Sequence, residues 1–182
     1  MAKSDFSISN AVPLRSVPKG GRIHVIGVAG VAMAQLAVEL SKQGYLVSGS
    51  DKDFYEPMGS YLRNSSVTLF KGYSAENIPP VVDLVIIGNA VSYENVEVLA
   101  VEQRQLSYTC FPQALHELII SGKHSIVVTG THGKSTTTAM VASAFLKLGA
   151  DPSYFVGGIA QDLPMSLHRG EGKWSVVEGD EY

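Results

Sequence analysis

Apolar positions along this chain fall into short continuous runs separated by stretches of helical period. Arg22 to Gly27 is a short apolar run of strand length, and Val31 to Gln43 then carries Met33, Leu36, Ala37 and Leu40 at helical spacing, with Gly44 as its stop. Tyr45 to Ser48 reads as a second strand, Met58 to Arg63 as a helix and Val67 to Phe70 as a third strand. Val82 to Gly88 is unbroken apart from Asp83, the pattern of a strand buried on both faces, and Glu94 to Gln103 reads as the next helix. Such alternation predicts a parallel, doubly wound sheet with right-handed crossovers. Phe111 to Gly122 predicts a helix opened by Pro112 and closed by glycine. A second α/β unit follows: strand Ile126 to Val128, helix Ser135 to Leu148 capped by Gly149, and strands near Tyr154 to Val156 and Trp174 to Val177.

The candidate chemistry is densest where the strand Ile126-Val127-Val128 runs into Thr129-Gly130-Thr131-His132-Gly133-Lys134-Ser135-Thr136 and at once into a helix. A glycine turn at a strand end lets backbone N–H groups point at phosphate oxygens. The following helix adds its positive N-terminal dipole, and a lysine and a hydroxyl complete the cradle. The expected ligand is a nucleoside triphosphate with Mg²⁺. Val128 stands where a general P-loop has its first glycine, so this is the shorter Gly130-x-x-Gly133-Lys134-Ser135 form. The competing reading is a plain turn, with Ser135 or Thr131 capping the helix.

A second glycine-bearing turn, Gly27-Val28-Ala29-Gly30-Val31-Ala32, lies at the first strand-to-helix junction. Only its first glycine fits the dinucleotide pattern G-x-G-x-x-G, since Ala29 and Ala32 occupy the other two places, which disfavours a nicotinamide cofactor. Gly30 offers a permissive turn at a helix start, suited to a diphosphate. Asp51, in Gly49-Ser50-Asp51, lies 24 residues after Gly27, near the ~20 at which an acid accepts hydrogen bonds from a ribose. The alternative for Asp51 is a turn cap beside Ser50.

Composition narrows the setting. The 182 residues are 45% hydrophobic and 17% charged with a formal net charge of -3, which leaves no basic footprint for nucleic acid and no polybasic membrane signal. Cys110 is the sole cysteine, so no intrachain disulfide forms, and it reads as a small buried hydrophobe. Residues 1–19 read as a loose tail without the apolar core of a signal peptide, and no apolar run reaches the ~20 residues of a membrane span, so a cytoplasmic location is expected.

These motifs together resemble those of the Mur ligases, the ATP-dependent amide-forming enzymes of peptidoglycan synthesis. The similarity covers residues 22–182 and rests on Gly130 to Thr137, on Gly49-Ser50-Asp51, and on Glu178-Gly179-Asp180-Glu181, which is similar to the family's E-A-D-E. It implies an α/β fold: a Rossmann-like doubly wound parallel sheet binding a UDP-sugar over 20–109, followed by the first part of a P-loop α/β ATP-binding domain over 110–182. The chain is then the N-terminal part of a larger ligase and inactive alone. His132 in the loop is similar to the branch that takes UDP-N-acetylmuramate as carboxylate substrate. Tyr55-Glu56-Pro57-Met58, Gly88-Asn89-Ala90 and Asp180-Glu181-Tyr182 resemble members that add a peptide rather than L-alanine.

The resemblance also implies residue roles. ATP would phosphorylate the muramoyl carboxylate and the acceptor amine would displace phosphate. Lys134 would neutralise the β and γ phosphates, and the loop from Gly130 through Thr131, His132 and Gly133 to Ser135 and Thr136 would cradle the nucleotide. Ser135 and Glu178 would ligate Mg²⁺. His132 either touches nucleotide or only shapes the loop. Gly27, Ala29, Gly30, Val31, Asp51 and Asn89 would hold the UDP-sugar. A nucleotide-binding module without ligase activity is the alternative from another class. His24 and His116 read as packed structural histidines isolated in apolar surroundings, Trp174 as core filler between strand and helix, and His124 as having no catalytic partner.

Overall fold

A computed structural model describes residues 12–158, 163 and 165–179. Five parallel strands form the first sheet: β1 (Arg22–Ile26), β2 (Leu46–Asp51), β3 (Thr68–Lys71), β4 (Leu84–Ile87) and β5 (Tyr108–Cys110), in the order β3-β2-β1-β4-β5. The order reverses between β1 and β4, as in a Rossmann-type sheet. The helices α1 (Val31–Lys42), α2 (Met58–Arg63) and α3 (Val96–Gln103) connect them.

The second sheet has the order β6-β9-β7-β8, from β6 (His124–Val128), β7 (Ser153–Phe155), β8 (Leu167–His168) and β9 (Trp174–Glu178). Strands β6, β9 and β7 are parallel, whereas the short β8 runs antiparallel to β7. Helix α5 (Lys134–Lys147) links β6 to β7. Between the sheets, α4 (Phe111–Leu115) carries Pro in its first turn and continues as a π-helical turn over His116–Ile120.

One helix serves both sheets. In α1 every residue from Met33 to Leu40 is buried, Gln35 and Glu39 included. Its apolar side joins a core with Ile23, Val25 and Leu84 of the first sheet and with Phe155, Leu167 and Val177 of the second. Phe111 of α4 meets Phe155 edge-on at 5.7 Å between ring centroids. Polar contacts tie the same junction, with the Arg169 N–H on Glu39 (3.4 Å) and its guanidinium on Gln43 (3.1 Å).

Several expectations need correction. The tail is not loose throughout: Leu14 and Val17 are buried, and the Val12 N–H bonds the Tyr108 carbonyl at 3.0 Å. Strand β2 runs on to Asp51 because Gly49 and Ser50 are buried strand residues, not a turn. Cys110 is exposed, and among the described residues no strand pairs with β5 on the side away from β4. His116 is exposed on its helix. Trp174 is only half-buried, packed on Phe145 and on His124.

His24 is buried, yet its surroundings are polar. Its Nδ1 pairs with Ser48 Oγ at 2.9 Å, and its Nε2 faces Glu97 at 3.6 Å. Glu97 is fully buried and accepts from Asn77 (2.7 Å), from the Ser74 N–H (3.0 Å) and from the Ser50 hydroxyl. Burial alone raises the Glu97 pKa, but the hydrogen bonds from His24, Ser50, Asn77 and Ser74 outweigh it and hold the carboxyl below its ordinary range. A depressed carboxyl contributes stability above its unfolded pKa of about 4.3 and loses it as pH falls through the folded value. Glu97→Gln should therefore flatten the acid limb of the stability curve below about pH 4.3, and should cost ~1–3 kcal/mol at neutral pH. Urea unfolding across pH 3 to 7 reads both effects.

Candidate functional site

At the carboxyl end of β1, Gly27 turns the chain at φ +82°. The Gly27 and Val28 N–H groups donate to the Ser50 carbonyl at 2.9 and 3.0 Å, and the Ala29 N–H donates to Asp51 Oδ2 at 2.8 Å. Val28 is thereby pressed onto β2, where a Cβ at Gly49 would lie 2.7 Å from Val28 Cβ. Gly49 is required by this approach. Gly30, in contrast, has φ −61° and no crowding, so the permissive conformation expected of it belongs to Gly27.

Gly30 is the N-cap of α1 and no side chain caps that helix; the first carbonyl taken up is that of Gly30, by the Ala34 N–H at 2.8 Å. The amides of Val31, Ala32 and Met33 are therefore left for a ligand or solvent. From the neighbouring strand the Gly88 N–H bonds the Ile26 carbonyl at 3.0 Å, and Val91 crowds the space above Gly27. Exposed Asn89 stands on this same turn, so the six residues expected to form one site gather at the carboxyl end of the sheet where its order reverses.

Asp51 is engaged beyond its turn. Its Oδ1 accepts from the Lys52 N–H (2.7 Å) and from the Tyr73 hydroxyl (3.2 Å). Burial, then the Asp51 charge, pushes the Tyr73 hydroxyl well above its ordinary pKa, so it stays a donor. Sequence reasoning missed Tyr73. Its one signal is its place just after Gly72, which turns the chain at φ +82° at the carboxyl end of β3.

The second glycine turn follows β6. Gly130 has φ +148° and Gly133 φ +77°, both in the region that glycine tolerates. Gly133 is the N-cap of α5, and no side chain caps this helix either, so neither Ser135 nor Thr131 acts as the cap. Thr131, His132 and Thr136 are exposed and Lys134 is half-buried. Among the described residues no carboxylate pairs with Lys134.

Ser135 Oγ donates to Glu178 Oε1 at 2.9 Å, and Glu178 Oε2 accepts the Gly157 N–H at 2.8 Å. One hydroxyl and one carboxylate thus meet beside the uncapped helix start. No group of three or more His, Cys, Asp or Glu suited to a metal occurs among the described residues. Two oxygen donors suit Mg²⁺, which keeps waters and takes further ligands from phosphate. Gly157 was also missed; it sits at the carboxyl end of β7, beside β9. Asp180, Glu181 and Tyr182 lie outside the described residues.

The profile of the Mur ligase family, catalytic domain, matches residues 22–122. The chain belongs to the Mur ligase family. The UDP-N-acetylmuramate–L-alanyl-γ-D-glutamyl-meso-2,6-diaminoheptandioate ligase of Escherichia coli strain K12 is 38% identical over 161 residues, 88% of this chain and 35% of that protein. The UDP-N-acetylmuramate–L-alanine ligase of Syntrophomonas wolfei is 36% identical over 162 residues, 89% of this chain and 34% of that protein. Among solved structures, a murein peptide ligase from Psychrobacter arcticus superimposes with a TM-score of 0.82 at 33% identity, covering 90% of this chain and 38% of that one. The chain spans about a third of the length of the curated relatives it matches. No helix among the described residues is long and apolar enough to cross a membrane.

In this Mur ligase chain the first glycine turn depends on the contact between Val28 and Gly49. Gly49→Ala should destabilise the fold by ~1–3 kcal/mol through overpacking. Combined with Val28→Gly, which removes the Cβ that a side chain at position 49 would meet, it should lose less than the sum of the two single changes, a coupling that urea unfolding of the four variants measures.

Proposed function

We propose that this chain supplies the nucleotide-binding part of an ATP-dependent ligase joining the carboxylate of UDP-N-acetylmuramate to a peptide or amino acid in peptidoglycan recycling or synthesis. The observation that carries this reading is the pair of uncapped, glycine-led helix starts in one chain, each at the carboxyl end of a strand. Residues 20–109 form the UDP-sugar unit and 110–182 the start of the ATP unit.

At the first start, the free amides of α1 hold the diphosphate, while Gly27, Ala29, Gly30 and Val31 shape the turn. Asp51 fixes that turn through the Ala29 N–H and turns its remaining acceptor capacity toward the ribose. Asn89 approaches from the β4 side. At the second start, the amides from Gly130 to Thr136, with Thr131 and His132 at the rim, enclose the ATP phosphates, and Lys134 brings an unpaired cation to them. Ser135 and Glu178 would hold Mg²⁺, which when bound neutralises phosphate charge as phosphate passes to the carboxylate.

The acceptor is most simply a tripeptide, on the likeness to the Escherichia coli and Psychrobacter arcticus proteins; L-alanine is the alternative, as the name of the Syntrophomonas wolfei relative indicates. Isothermal titration tests the first half of the reading. UDP-N-acetylmuramate should bind in preference to UDP-N-acetylglucosamine and NADH, and equal affinity for all three would overturn it. Lys134→Ala should weaken ATP binding about tenfold or more, ~1.4 kcal/mol, and spare the UDP-sugar. Asp51→Asn should do the reverse; parallel loss of both ligands in either variant would contradict two separate sites.

A further inference from the structure

At the opposite end of the first sheet from the glycine turn lies a groove of about 440 Å³ over the amino-terminal ends of β1, β2 and β3. That volume is in the range of small-molecule sites. Its walls are apolar, from Leu46, Phe70, Pro79, Pro80 and Val81, and its polar groups include Arg22 at the start of β1 and the Ser48 hydroxyl. None of these residues belongs to the proposed nucleotide sites.

Ser48 is not an idle surface hydroxyl. It is 8% exposed, and behind it His24 and Glu97 are completely buried. Glu97 accepts the Ser50 hydroxyl proton, so Ser50 turns a lone pair toward His24 Nε2, which lies 3.5 Å from Ser50 and 3.6 Å from Glu97. In the neutral imidazole, two acceptors facing Nε2 place the ring proton there. Nδ1 is then an acceptor, and the Ser48 hydroxyl donates to it over 2.9 Å. With its proton committed inward, the Ser48 oxygen offers only lone pairs to the groove.

Arg22 supplies the other polar contact. Its backbone N–H is taken by Asp83 Oδ2 at 2.7 Å, but its exposed guanidinium has no ion-pair partner among the described residues. A guanidinium in this setting suits a carboxylate bound by two hydrogen bonds. We infer that the groove is a second ligand site, for an aromatic carboxylate whose ring carries a hydrogen-bond donor: carboxylate on Arg22, ring between Phe70 and the Pro79-Pro80 wall, donor on Ser48 Oγ. The inference does not rest on the UDP-sugar or ATP readings.

The probe is 6-hydroxy-2-naphthoate, titrated into the ¹⁵N-labelled chain and followed by amide chemical shifts. Saturable shifts at Ser48, Ser66, Thr68 and Val81, with none over Gly27 to Val31, are expected. 2-Naphthoate, which lacks the donor, should bind about three- to tenfold more weakly. Arg22→Gln should weaken binding by a similar factor, and Thr68→Trp, which fills the groove from an exposed strand position, should abolish it while leaving the circular dichroism spectrum and Tm unchanged. Shifts located elsewhere, no saturable shifts up to millimolar probe, or undiminished binding in a folded Thr68→Trp variant would each overturn the inference. Equal affinity for the two naphthoates would remove the role given to Ser48.

Discussion

Val28 occupies the space that a side chain at Gly49 would fill, and the geometry of the first unit follows from that seat. Because a Cβ at position 49 would lie within 3 Å of Val28, the turn can approach β2 closely enough for two successive N–H groups to share the Ser50 carbonyl. The next amide, of Ala29, then reaches Asp51. Three consecutive backbone groups are thereby fixed to β2 before α1 begins. The helix start is held in place by the sheet and needs no cap of its own to define it.

Among the α-helices of the described residues only α3 has a side-chain cap; α1, α2, α4 and α5 have none, and what sets α1 and α5 apart is the glycine at their N-cap. At α3, Asn95 accepts the Glu97 N–H at 2.8 Å, satisfying one of the orphan donors in the usual way. Glycine at the N-cap gives up only about 0.3 kcal/mol relative to a capping side chain, so Gly30 and Gly133 leave the amides open at little cost. What they gain is a set of accessible amides reinforced by the helix dipole, worth ~0.3–1 kcal/mol per nearby anionic charge. Both lie at the carboxyl ends of parallel strands, where the topology already opens a crevice.

Much of this was legible in the residues because it is local. The period of Met33, Leu36, Ala37 and Leu40 marked α1, and Gly130-x-x-Gly133-Lys134-Ser135 marked the glycine turn between β6 and α5. What escaped was non-local. Gly49-Ser50 looks like a turn until it is known that Val28 packs on one and that His24 and Glu97 reach the other across the sheet. Tyr73 acquires meaning only from Asp51. Cys110 looked like core material because composition does not reveal that, among the described residues, β5 pairs only with β4. The tail was misjudged for the same reason, since Leu14 and Val17 are buried by contacts with residues far along the chain. The period also left unread that α1 is buried at its polar residues Gln35 and Glu39, the latter accepting the N–H of Arg169, just past β8.

The same distinction explains why Glu178 is well placed for its proposed role. In sequence it is one acid among several near the chain end. In the fold its two oxygens point to different structures: one takes the hydroxyl of Ser135 on α5, the other the backbone N–H of Gly157 beyond β7. Gly157 is itself a close approach, with the place of its missing Cβ only 3.2 Å from Glu178 Oε2. A carboxylate held from both sides loses little side-chain entropy when it takes up a cation. Because Ser135 is a hydroxyl, rotation about its C–O bond is enough to turn a lone pair outward, with no movement of the backbone. Lys134 precedes it on the same first turn, so the cationic group, the hydroxyl and the free amides are carried by one rigid element whose position β6 and β9 set together.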